Sequence, residues 1–248
     1  MSWKDDLFLV HTDHQDKEWE RNNKKKKYDY GYNKDLDAVV ISRDGTVGDI
    51  YEVQGLRIGL PKAPLQVPGM EVPEEEQVFL HTPKPQSLKE IKSIADFRNI
   101  SNDKLKEQWA EYIEVEWNRR EDGYWFMSEG EKTYITGSNY FFLNYHFIDT
   151  ESNDTGRADF RHSNRIFFYF LEACRADHRC YGMCYLKNRR SGFSHMAASE
   201  SINQATKTRN AHYGILSKTG RDASQLFTEK VVRSNSYRPY PNLSLIHI

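Results

Sequence analysis

The segment Lys187-Asn188-Arg189-Arg190-Ser191-Gly192-Phe193-Ser194 constrains this chain more than any other. It follows a short apolar run, Tyr181-Gly182-Met183-Cys184-Tyr185-Leu186, and precedes a stretch rich in Ala and small polar residues that reaches Thr208. The spacing predicts a buried strand, a tight loop and a helix with Ala198, Ile202 and Ala205 on one face. A phosphate group requires that order: backbone N–H groups converging at a helix amino terminus, a cation, and a hydroxyl to ligate Mg²⁺. Gly192 allows close backbone approach and Ser194 supplies the hydroxyl, while Lys187, Arg189 and Arg190 bring positive charge.

Against the pattern G-x-x-x-x-G-K-[ST], Lys187 stands where the first glycine belongs and Phe193 where the lysine belongs. By pattern alone the signal is weak, and a basic loop with an incidental Gly-x-Ser is the competing reading. Downstream, His212-Tyr213-Gly214-Ile215-Leu216 reads as a second strand and Ser217 to Gly220 as a turn. Asp222 to Val232 reads as a helix with Ala223, Leu226, Phe227 and Val231 facing inward. The alternation β-α-β-α is that of a parallel sheet in an α/β fold.

These residues resemble the terminase large subunits of tailed phages. In that family the lysine moves to the front of the loop, followed by an arginine and then Gly-aromatic-Ser. Lys187, Arg190, Gly192, Phe193 and Ser194 match that arrangement. The likeness includes Tyr140 to Tyr145, Asp159-Phe160-Arg161, Ile215-Leu216-Ser217 and Asp222 to Phe227, within residues 120 to 235. The resemblance implies a P-loop NTPase core of the RecA/ASCE-like kind, truncated after the first β-α-β-α and preceded by a mixed α+β region. It implies ATP and Mg²⁺ held along Lys187, Asn188, Arg189, Arg190, Ser191, Gly192, Phe193 and Ser194. Lys187 would contact the β- and γ-phosphates, Ser194 would ligate Mg²⁺, and Arg189 or Arg190 would stabilise the γ-phosphate as the catalytic group. Phe160, Arg161 and Asn164 are the candidates for adenine contact. The activity implied is a motor driving double-stranded viral DNA into a procapsid. Its implied partners are the portal protein, the small terminase subunit and further copies of itself, in the host cytoplasm at the portal.

A Walker B element, four apolar residues ending in Asp-Glu, should follow the loop by many tens of residues. None is found; Phe147-Ile148-Asp149 lies upstream and reads as a strand end. The acidic cluster of the family's nuclease domain is not found either. A fragment ending inside the ATPase domain is therefore expected, with Leu243 to Ile248 as an unrelated end and with little turnover of its own. Two other readings stay open: a non-catalytic nucleic-acid or capsid-assembly module whose basic loop contacts backbone phosphates, and a helicase-type ATPase.

The rest of the chain is organised around this segment. Its 248 residues, with a net charge of −1, name no partner by charge, while 15 Tyr, 13 Phe and 5 Trp are enough to build a core. The longest apolar run, Ile166 to Leu171, is too short to span a bilayer, and no signal-peptide core follows the charged amino terminus; a soluble, unexported protein is expected. Cys174, Cys180 and Cys184 form no paired framework and suit a reducing compartment, so no disulfide is expected. The spacing of Cys174, His178, Cys180 and Cys184 departs from that of structural zinc sites, and buried thiols are preferred.

Four regions are expected. Residues 1–59 hold an arm with the basic run Lys24 to Lys27, then a hairpin of Asp37 to Ser42 and Val47 to Val53 joined at Asp44-Gly45. Residues 60–100 carry six of the eight prolines and read as a linker. Residues 101–150 hold an amphipathic helix capped by Ser101 or Asn102, with Leu105, Trp109, Tyr112, Ile113 and Trp117 on one face. Aromatic segments follow, Tyr124-Trp125-Phe126 and Gly137 to Ile148, both read as strands filling a core, with Asn144 the polar exception. Residues 151–248 hold the incomplete ATPase domain, opened by a helix over Arg161 to Arg175 with Ile166, Phe167, Phe170, Leu171 and Cys174 as its apolar stripe.

Overall fold

The computed structural model describes residues 32–41, 46–53, 55–64, 99–149, 155–177, 180–187, 191–208 and 211–236. Lys24 to Lys27, the Asp44-Gly45 turn, most of the proline-rich linker, His178, Asn188 to Arg190 and Leu243 to Ile248 lie outside them. The fold mixes helices with small sheets. Two compact units divide the chain: residues 1–64 with 170–184, and residues 65–169 with 185–248.

The first unit contains a four-stranded sheet of β1 (Tyr32–Asn33), β2 (Ala38–Val40), β3 (Ile50–Val53) and β4 (Leu56–Gly59) in the order β1-β2-β4-β3. The expected hairpin between the second and third strands is not formed. Instead β3 turns directly into β4, and β4 inserts between them, antiparallel to β3 and parallel to β2. Burial explains the choice: Ala38, Val39 and Val40 are all buried, so β2 takes an interior position with a partner on each side.

The second unit begins with α1 (Asp103–Asp122), whose Asn102 side chain accepts from the N–H groups of Lys104 and Leu105. Its expected face is inward, with Trp109, Tyr112 and Ile113 buried. The hairpin of β5 (Tyr124–Ser128) and β6 (Glu131–Ile135) follows, in register from Tyr124 opposite Ile135 to Ser128 opposite Glu131.

Gly137 to Tyr145 is helix α2, not the expected strand. Every residue in it is buried, which removes the polar alternation by which a strand is told from a helix. Two local features decide for helix. Thr136 accepts from the Asn139 N–H at the amino terminus, and a Cβ at Gly137 would stand 2.0 Å from the Arg120 carbonyl oxygen, so only glycine lets α2 start against the end of α1. Core filling by this run is as expected. Asn144 spends its amide on the Tyr140 carbonyl, 2.8 Å away.

Next come β7 (Phe147–Asp149) paired with β8 (Thr155–Arg157), then α3 (His162–Ala176), which carries the chain from the second unit into the first. Among the residues of α3 in the second unit, Phe167, Phe168 and Tyr169 are all buried, a broader face than one stripe. After the loop comes α4 (Phe193–Lys207); further on, α5 (Gly220–Leu226), a π-helical turn (Phe227–Val232) and α6 (Arg233–Ser236) form one continuous helical run.

The two strands expected around the loop are not formed among the described residues. Residues 181–187 and 211–217 carry no strand pairing, and Leu186 and Leu216 are 97% and 98% exposed. A strand exists only through its partner's hydrogen bonds, and no described segment pairs with either. Phe227, expected inward, is 49% exposed. Among the described residues no helix is long and apolar enough to cross a membrane.

Candidate phosphate-binding loop

Helix α4 is clamped from its carboxy-terminal half. The Arg120 side chain, 1% exposed, donates from Nε to Asn203 Oδ1 at 2.6 Å and from Nη2 to the Asn203 carbonyl at 2.7 Å, and reaches Thr206 Oγ1 as well. Its guanidinium lies 4.6 Å from the centroid of the Phe141 ring. One turn earlier in α1, buried Glu116 accepts from the hydroxyls of Tyr140 at 2.9 Å and Tyr145, and pairs with Arg119 at 2.9 Å. Burial, with Glu116 next, holds both tyrosine hydroxyls well above their usual range. Two buried charges on one face of α1 thus fix α2 and α4.

Sequence reasoning did not single out Glu116 and Arg120. The signal was there: they continue the stripe of Trp109 and Ile113 at helical spacing, where a solvated residue would not be placed. Of the expected inward face of α4, Ala198 and Ile202 are buried but Ala205 is exposed. Asn203 is buried in its stead because Arg120 needs its acceptors.

At the other end, Gly192 takes a left-handed conformation, φ 76°, and its carbonyl accepts from the N–H groups of His195 at 2.9 Å and Met196 at 3.2 Å. Among the described residues no side chain caps the helix, and none supplies an acceptor to the N–H groups of Phe193 and Ser194 in its first turn. A Cβ at Gly192 would meet nothing within 4 Å. Ser194 is half-buried in that turn and Lys187 is exposed ahead of it.

Phe193, at the position where the common pattern has lysine, is an anchor. Its ring stacks on Tyr185 at 5.2 Å and meets Phe167 edge-on at 5.7 Å, while Tyr185 meets Phe167 at 5.0 Å. Three rings therefore tie the approach to the loop, the start of α4 and α3 together.

No family model, curated protein or solved structure matches this chain. The site therefore rests on its own geometry.

Of the sequence-predicted residues, Lys187, Ser191, Gly192, Phe193 and Ser194 are described, and Asn188, Arg189 and Arg190 lie outside the described residues. Phe160, an adenine candidate, packs edge-on against Phe126 at 5.0 Å, and the exposed Arg161 accepts through its carbonyl from the N–H groups of Asn164 and Arg165 at the start of α3. Asp149 ends strand β7, as its position upstream of the loop suggests, and pairs with Lys230 at 3.2 Å and Arg233 at 2.9 Å. Among the described residues no three His, Cys, Asp or Glu side chains converge as metal ligands.

The structure adds three residues that the sequence did not flag. His146, fully buried after α2, lies 3.3 Å through Nε2 from His195 Nδ1 in the first turn of α4. Its Nδ1 lies 3.0 Å from the hydroxyl of Ser234 in α6, and that hydroxyl accepts from the Phe147 N–H at 2.9 Å.

Proposed function

We propose that residues 187–194 are the phosphate-binding loop of an ATPase of the terminase large-subunit kind. The observation that carries this reading is the start of α4: a left-handed Gly192 with open space beside it, an uncapped first turn, and the Ser194 hydroxyl within that turn. Uncapped N–H groups at the positive end of a fifteen-residue helix favour an anion. Lys187 adds an exposed ammonium ahead of the loop, Ser194 would hold Mg²⁺, and Arg189 or Arg190 would face the γ-phosphate. Bound Mg²⁺ would neutralise charge on the β- and γ-phosphate oxygens. On the same reading the fold is a P-loop NTPase core, and the work is moving double-stranded viral DNA into a procapsid at the portal in the host cytoplasm. The portal protein, a small terminase subunit and further copies of the chain would be its partners.

Binding of a non-hydrolysable ATP analogue with Mg²⁺, followed by titration calorimetry, tests the reading. Lys187→Ala and Ser194→Ala are each expected to weaken binding about tenfold or more, while neutralising Lys24 to Lys27 leaves it unchanged. Binding indifferent to Lys187 and Ser194 would remove the nucleotide site. Duplex DNA binding that is lost with Lys187 in the absence of any nucleotide binding would favour a backbone-binding module.

A further inference from the structure

Three elements far apart in sequence meet in the chain Ser234, His146 and His195. Ser234 is 2% exposed and His146 fully buried, so each polar hydrogen there requires an acceptor within the protein. The Phe147 backbone N–H can only donate, so Ser234 Oγ accepts that bond at 2.9 Å. The hydroxyl proton is then left for His146 Nδ1, 3.0 Å away. With Nδ1 accepting, neutral His146 carries its proton on Nε2 and donates to His195 Nδ1 at 3.3 Å. His195 in turn carries its proton on Nε2. The opposite direction would have Ser234 accept twice and strand its own proton in a buried position, a bias of about tenfold or more against it.

We infer that Ser234, His146 and His195 form a directional hydrogen-bond relay that fixes the tautomers of both rings and couples helix α6 to the first turn of α4. Ser234 and His146 are positioning residues: they act on the first turn of α4 through His195 and touch no ligand themselves. The relay is reinforced from both sides. The π-helical turn that precedes α6 packs against α4, and the His146 ring is held between a stacked Phe142 at 5.8 Å and the edge of His195 at 5.6 Å. A displacement of the first α4 turn that moves His195 Nδ1 away breaks the bond from His146 Nε2 and so weakens the link between that turn and α6. The relay itself is independent of the ligand; its role in transmitting ligand state to α6 rests on the reading that phosphate binds at this turn.

The test is long-range ¹H–¹⁵N NMR of the full chain labelled in histidine nitrogen, at about pH 8, above the ordinary histidine range. Both rings are expected as single Nε2–H tautomers; an Nδ1–H form of either ring would overturn the relay. In Ser234→Ala, the ring nitrogens of His195 should move toward a tautomer mixture although Ser234 does not touch that ring, and the Phe147 amide should exchange about tenfold faster. Ser234→Thr, which keeps the hydroxyl, should restore both. Unchanged His195 nitrogens in a folded Ser234→Ala protein would sink the proposal, and if that variant does not fold, the tautomers of the unmodified protein still decide. Adding the Mg²⁺–ATP analogue separates the two readings. No analogue binding removes the phosphate site and leaves the tautomer result standing. Analogue binding that alters α6 exchange equally with and without the Ser234 hydroxyl removes the relay and leaves the phosphate site.

Discussion

Burial first, and then the Lys230 ammonium, hold the His195 imidazole down at about 4 against an ordinary 6.5, with Asp149 pulling weakly the other way. The ring is neutral at pH 7. Its depressed value means that its contribution to stability is complete above the unfolded value of 6.5 and is lost as pH falls toward 4. After discounting for its partial exposure, about 1–2 kcal/mol should go over that window. Urea unfolding midpoints taken across it should fall less steeply in His195→Asn than in the unmodified chain; equal slopes would contradict the assignment. The thiols offer a second check. A hydrogen bond with Cys180, then burial, push the Cys174 thiol far up, while Cys184 is exposed. Iodoacetamide should therefore label Cys184 first and Cys174 last, about tenfold slower or more, as read by peptide mass. At this scale the sequence was legible where chemistry is local. Gly192 and Ser194 were picked out by type and spacing and do open a helix. His146 was not, because its partners lie 49 and 88 residues away.

The helices α1, α3 and α4 could be read from period, and α1 from its cap as well, and their bounds fall within a residue or two of expectation. Helix α2 could not. A run buried on every side has no polar face to reveal its period, and its aromatic residues carry strand preference. What overrides that preference is contact: Tyr140 and Tyr145 both reach Glu116 of α1, a pairing that residues five apart on a helix achieve here. Gly137 is the point where this contact is made possible. In Gly137→Ala the new methyl would meet the Arg120 carbonyl at 2.0 Å and its carbon at 2.6 Å, both backbone atoms near a helix end that cannot swing away. A loss of about 3 kcal/mol or more is expected, seen as a lowered urea midpoint. A stable Gly137→Ala protein with unchanged exchange in α1 and α2 would show that the helices separate more easily than this packing implies.

For the molecule as a whole, the alternation of apolar runs and helical stripes after residue 180 suggested a parallel sheet, yet 181–187 and 211–217 remain unpaired among the described residues. Strand pairing is a relation between distant segments, so an apolar run states only that it can be a strand. Long-range order in the second unit comes from ring contacts and from polar ones. Arg120 reaches Asn203 across 83 residues, and the end of β7 holds the last helical run through Asp149 with Lys230 and Arg233. These ion pairs and the Ser234 hydroxyl link the same short segment, residues 230 to 234, to the two ends of the three-residue strand β7. Asp149→Asn alone should cost about 1 kcal/mol, and less as salt is raised, because both pairs are partly exposed. Ser234→Ala removes a buried bond and should show no such salt dependence. If the two grips act on one segment, releasing either lets the other slacken, and the double variant should lose less than the separate losses added together, by about 0.5 kcal/mol or more. Strict additivity in urea unfolding would mean that α6 is held at two independent points, and that a change at the first turn of α4 can reach Ser234 without disturbing Asp149.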